Sequence, residues 1–84
     1  MAEQGDRLRL GRYRHFKGGE YDVIAVGEHT EAGEKLVVYK QLYDSFEKGT
    51  RKGKIWIRLL EMFLSYKEIE DGRRVKRFEY IGDE

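Results

Sequence analysis

Arg7-Leu8-Arg9-Leu10-Gly11-Arg12-Tyr13-Arg14-His15-Phe16, followed by Lys17-Gly18-Gly19 and then by Tyr21-Asp22-Val23-Ile24-Ala25-Val26, is the stretch that decides the fold. Its first segment alternates loosely between polar and apolar side chains, the period of a strand with one face toward a core. The paired glycines tolerate the positive φ angles of a tight turn, so the chain is expected to fold straight back on itself. The second segment has two mainly apolar faces, Tyr21, Val23 and Ala25 on one and Ile24 and Val26 on the other, which places it in the middle of the fold.

The same pattern recurs downstream. His29-Thr30-Glu31-Ala32-Gly33 reads as a hairpin loop with Gly33 at a left-handed position, and Leu36 to Tyr43, rich in β-branched and aromatic residues, as its return strand. Asp44 to Lys54, with Lys48, Arg51, Lys52, Lys54 and two glycines, is expected to be a mobile loop. Ile55-Trp56-Ile57-Arg58 resumes a strand, and Leu59 to Leu64 reads as a short helical or 3₁₀ turn. Tyr66 to Ile69 and Val75 to Ile81 flank Asp71-Gly72, a two-residue hairpin signal. Five or six short antiparallel strands with glycine turns and no proline predict an all-β fold, specifically a small SH3-like barrel.

Eighty-four residues make a single domain, one that buries only roughly 60% of the surface of its unfolded chain. The ordered core is expected over about 8–81, with tails at 1–6 and 82–84 and the mobile loop at 44–54. Cysteine is absent, which removes disulfides and thiolate metal sites and suits a cytoplasmic setting. No apolar run approaches the length of a membrane span, and Met1 to Arg7 lacks the apolar centre of a secretory signal. Seventeen Lys and Arg against sixteen Asp and Glu leave a net charge of +1, so no overall field argues for nucleic acid or an anionic membrane.

Three segments, taken together, resemble a bacterial family known as domain of unknown function 1653. They are Gly11 to Tyr21, Leu36-Val37-Val38-Tyr39 with Leu42-Tyr43, and Trp56-Ile57-Arg58 leading to Glu61-Met62-Phe63. The resemblance runs from about Gly11 to Phe78. This chain departs from the family pattern at Leu59, where the family usually has proline, and in its longer Asp44 to Lys54 segment. The resemblance implies a small β domain of bacterial origin and transfers no catalytic role.

Catalysis would need a nucleophile or an acid and base held together. The only serines are Ser45 and Ser65, the only histidines His15 and His29, and no nucleophile-elbow, phosphate-loop or zinc-protease spacing occurs. A non-enzymatic domain without cofactor or metal is therefore expected, with an enzyme acting on a small polar ligand as a distant alternative. Two binding surfaces compete. Tyr13, His15, Tyr39, Trp56 and Arg58 suit an aromatic groove for a protein or peptide, because flat rings give contact area at low entropic cost. Arg12, Arg14, Lys17, Lys48, Arg51, Lys52 and Lys54 suit RNA or single-stranded DNA, with guanidinium groups on phosphates and bases stacked on Tyr13 or Phe16. Arg58, between Ile57 and Leu59, must reach solvent, pair with Glu61 or Glu20, or meet an anionic ligand. The default is the salt bridge. A monomer or weak homodimer is expected, the dimer through an exposed edge strand.

Overall fold

Alternation and turn chemistry together set the strands of the computed structural model, which describes residues 8–82. The tail at 1–6, Arg7, and residues 83–84 lie outside the described residues. β1 (Gly11–His15) turns through Lys17-Gly18-Gly19 into β2 (Glu20–Glu28). Gly18 sits at φ 108, and the turn is closed by His15 N–H donating to the Gly19 carbonyl at 2.7 Å and Gly18 N–H to the His15 carbonyl at 2.7 Å. β2 turns through 29–34 into β3 (Lys35–Gln41), with Gly33 at φ 76. His29 holds that turn: its Nδ1 accepts the backbone N–H groups of Glu31 at 3.2 Å and Ala32 at 3.0 Å.

β4 (Ile55–Leu59) returns beside β3 and runs directly into α1 (Leu60–Phe63). A separate hairpin follows, β5 (Tyr66–Glu68) with β6 (Arg74–Lys76), its turn fixed by Asp71 accepting both the backbone and side-chain N–H of Arg73. β7 (Phe78–Gly82) then pairs with β1. The main sheet is antiparallel in the order β4-β3-β2-β1-β7.

The all-β expectation holds, with two differences of detail. Among the described residues no backbone pairing joins β4 to β7, so an open five-stranded sheet plus a hairpin stands where strand counting suggested a closed SH3-like barrel. Val75 to Ile81, read as one strand, breaks at Arg77. The Arg77 backbone N–H donates to the Ser65 carbonyl at 2.9 Å and its Nε to Ser65 Oγ at 3.1 Å, which turns the chain from the hairpin to the sheet. Within the Asp44 to Lys54 segment, Ser45 and Thr50 exchange backbone bonds, and Asp44 Oδ1 accepts the Lys52 N–H at 2.8 Å.

One face of the sheet carries the core. Tyr13, Tyr21, Val23, Val37 and Tyr39 point inward and meet Leu60 and Phe63 of α1 and Phe78 of β7. Phe63 lies flat on Phe78, centroids 4.1 Å apart and 4° from parallel, while the tyrosines meet these rings edge-on. Those are the two arrangements that ring quadrupoles favour. A bulge at Ile24 lets both Val23 and Val26 pair across to inward residues of β3, Tyr39 and Val37. The opposite face is open. Ile24, Ala25 and Ile57 are exposed there, so β2 is central in the sheet but covered on one side only, because no second layer reaches its other apolar face among the described residues.

Candidate functional site

Strand parity carries the site. Tyr39 pairs with Trp56 and Val37 with Arg58, so the inward side of β4 presents an indole and a guanidinium beside the Tyr39 ring. The core is closed by α1 at one end of the sheet, and at the other end the same face opens into a cavity of about 250 Å³. Its walls are aromatic: Tyr21, Tyr39, Tyr43, Trp56, Phe78 and the imidazole of His15. Lys17, Lys48, Arg58, Ser45 and Glu47 supply its polar lining, and Gly19 completes it.

Gly19 is needed for space. A Cβ there would lie 2.5 Å from the Tyr43 hydroxyl oxygen and 2.6 Å from ring carbons, closer than real contacts allow. The glycine lets Tyr43 swing over the turn and meet the Tyr21 hydroxyl at 2.9 Å. Burial and then that bond push the Tyr21 phenol up from its ordinary range, so its hydroxyl stays a neutral hydrogen-bonding group.

Gln41 fixes the far wall. Only 1% exposed, it accepts the Trp56 indole N–H at 3.0 Å and donates to the Tyr43 carbonyl at 2.7 Å and to Thr50 Oγ1 at 3.0 Å. One buried amide thereby ties β3, the 44–54 segment and β4, with its partners all satisfied.

Arg58 is the chemically open residue. Its Nε donates to the Tyr39 hydroxyl oxygen at 3.0 Å, and its guanidinium carbon lies 5.7 Å from the centre of the Phe78 ring. Among the described residues no carboxylate comes within ion-pairing distance, so the expected salt bridge to Glu61 or Glu20 does not form. No buried side-chain nitrogen or oxygen among the described residues lacks a partner, so the terminal nitrogens of Arg58 must face the open cavity. The surrounding charge is felt at His15, whose pKa falls from 6.5 to about 4 through burial first, then the cations Arg58, Lys48, Arg77 and Lys17. Its neutral Nδ1 accepts the Lys17 backbone N–H at 3.2 Å. The cavity is positive, and its histidine is uncharged at neutral pH.

Of the five residues expected in an aromatic groove, His15, Tyr39, Trp56 and Arg58 meet around this cavity. Tyr13 does not. It is 5% exposed in the core, where its hydroxyl donates to the Arg9 carbonyl at 2.8 Å. The basic set scatters. Arg12 and Arg14 flank the inward Tyr13 and so project from the opposite face of β1. Lys17 and Lys48 line the cavity, Arg51 lines a separate depression beside Asp44 and Phe46, and Lys52 is exposed. Lys54 Nζ covers the Trp56 ring at 4.8 Å. Sequence reasoning passed over Gln41, Tyr21 and Phe78. Gln41 had a signal: it continues the inward parity of Val37 and Tyr39, and a polar residue at an inward position demands partners. Among the described residues no three His, Asp or Glu side chains gather as a metal would require.

The family model for a protein of unknown function, DUF1653, matches residues 11–80. The chain belongs to the DUF1653 family. A DUF1653 crystal structure from Bordetella bronchiseptica is 32% identical, covers 92% of this chain and 91% of its own, and superimposes with a TM-score of 0.75. No curated protein matches the sequence. The cavity residues Gly19, Tyr39, Trp56 and Arg58 all fall within the part of the chain that the DUF1653 model spans.

Proposed function

We propose that this DUF1653 domain is a non-catalytic binding module that takes an anionic group of a protein or peptide partner into the cavity, against Arg58 and between aromatic walls. The supporting observation is the state of Arg58. Its described partners are a phenol oxygen and a ring face, both neutral, while its remaining donors face a cavity that Lys17 and Lys48 also line. A guanidinium held by one hydrogen bond and left without a carboxylate is arranged for a planar anion, which it can grip through two parallel N–H bonds. The partner's carbon framework would rest on Trp56 and Tyr43. The setting proposed with this reading is the one expected from composition and resemblance, a bacterial cytoplasm.

Less supports nucleic acid. Arg12 and Arg14 lie on the other face from Lys17 and Lys48, and Tyr13 is too deep to stack on a base. The test is a pair of peptides, acetyl-Val-Glu-Val-Glu-Val-amide and its Gln analogue, titrated by calorimetry into wild type and Arg58→Gln. Binding is expected only for the Glu peptide on the wild type. Equal binding to Arg58→Gln would remove the anion site, and a salt response as steep as several phosphate contacts require, seen with single-stranded RNA, would favour the other partner class.

A further inference from the structure

The two outer strands of the sheet are built differently. β7 pairs irregularly with β1, its register shifting between Arg12 and Tyr13, and it carries Glu79 among its exposed positions. A shifted register and outward charge are the usual protections of an edge strand. β4 has neither protection. Its register with β3 is continuous over five residues, it contains no proline, and its outward side chains are Ile55 and Ile57, the latter 63% exposed. Among the described residues, β3 is the one strand that pairs with β4, and α1 begins on the last β4 residue, Leu59.

The same five residues carry two chemistries in alternation. Trp56 and Arg58 face the cavity, while Ile55, Ile57 and Leu59 occupy the other face. A strand laid along β4 must repeat that alternation to match it, apolar against the isoleucines and anionic against Arg58. Resting on the anion-site reading above, we infer that β4 is a docking edge for an extended segment of a partner protein in which acidic and apolar residues alternate. That segment adds a sixth strand to the sheet and places an acidic side chain at Arg58. Charge complementarity selects this occupant: a second copy would bring Arg58 or Trp56 to the cavity side rather than a carboxylate. Main-chain bonds supply affinity and alternate side chains supply specificity, the usual division of labour in strand addition.

The test uses acetyl-Val-Glu-Val-Glu-Val-amide, a block-order isomer acetyl-Val-Val-Glu-Glu-Val-amide, and two N-methylated forms of the first, methylated at the Val or at the Glu amides. Only one set of amides can point at β4. One methylated form is therefore expected to bind about tenfold or more weakly, a loss of at least ~1.4 kcal/mol, and the other like the parent. The block isomer is expected to lose a similar factor, and the amides of Ile55 to Leu59 to gain exchange protection with the parent alone. Equal affinity of both methylated forms and the block isomer, with Arg58→Gln still abolishing binding, would overturn strand addition while leaving the anion site intact. Loss of all selectivity for Glu over Gln would remove the anion site itself. Protection of β4 that depends on protein concentration without peptide would assign the edge to a second copy and overturn the inference.

Discussion

Tyr13 and Tyr39 are both buried tyrosines on the inner face of one sheet, 5% and 3% exposed, yet they serve opposite ends of it. At the Tyr13 end the hydroxyl is satisfied by the chain itself, through the Arg9 carbonyl, and the ring packs edge-on to Phe63 and Tyr80. At the Tyr39 end the hydroxyl spends its acceptor capacity on Arg58, and beyond Arg58 there is open space. Aromatic rings surround both tyrosines. What separates a core from a candidate site here is unused polar capacity, since a donor whose bonds all close inside the protein has nothing left to offer a partner.

The largest effect belongs to the closed end. Phe63→Ala removes the ring stacked on Phe78 and should cost about 3 to 5 kcal/mol in a urea titration. Next comes Gln41→Ala, which leaves the Trp56 N–H, the Tyr43 carbonyl and Thr50 Oγ1 without their partner. A loss of about 1 to 3 kcal/mol is expected, with a change in Trp56 fluorescence as the indole loosens. If Gln41→Ala is silent in both, the wall of the cavity is not held as described.

The tyrosine pair gives a sharper contrast. Tyr13→Phe should cost about 1 kcal/mol of stability and leave peptide binding unchanged. Tyr39→Phe should cost a similar amount and weaken binding as well, because the guanidinium loses the bond that aims it. Equal binding defects in both variants would erase the distinction between the two ends.

The last effect is a pH dependence. The folded pKa of His15 is depressed from 6.5 to about 4, so the unfolded chain takes up a proton first as pH falls. Stability should decline from about pH 6.5 toward 4 and gain no further penalty from His15 below that. His15→Asn should flatten this part of the profile. An anion bound at Arg58 offsets the neighbouring cations, so an occupied cavity should raise the His15 pKa, as a proton titration by NMR would show.

Much of the fold was legible because it rests on local chemistry. Gly18 and Gly33 announced turns by their freedom at positive φ, and the β-branched and aromatic residues of Leu36 to Tyr43 announced a strand. Closure was not legible: strand count says nothing about whether β4 finds β7, since that depends on curvature spread along every strand. The break at Arg77 was hidden because it is made by Ser65, twelve residues away. At the site, His15, Tyr39, Trp56 and Arg58 could be singled out by type. The parity that buried Tyr13 and the missing carboxylate at Arg58 needed tertiary pairing, because the sequence does not say which of its carboxylates comes near a guanidinium.

The account rests on Arg58 being an anion site at the open end of an otherwise closed aromatic face. It is tested most directly by mapping backbone amide shifts during titration with acetyl-Val-Glu-Val-Glu-Val-amide and its Gln analogue. The account predicts shifts confined to Tyr39, Trp56, Arg58 and their neighbours with the Glu peptide and none with the Gln peptide. Shifts of the same size and place with both peptides, or centred on Tyr13 and Phe63, would contradict it.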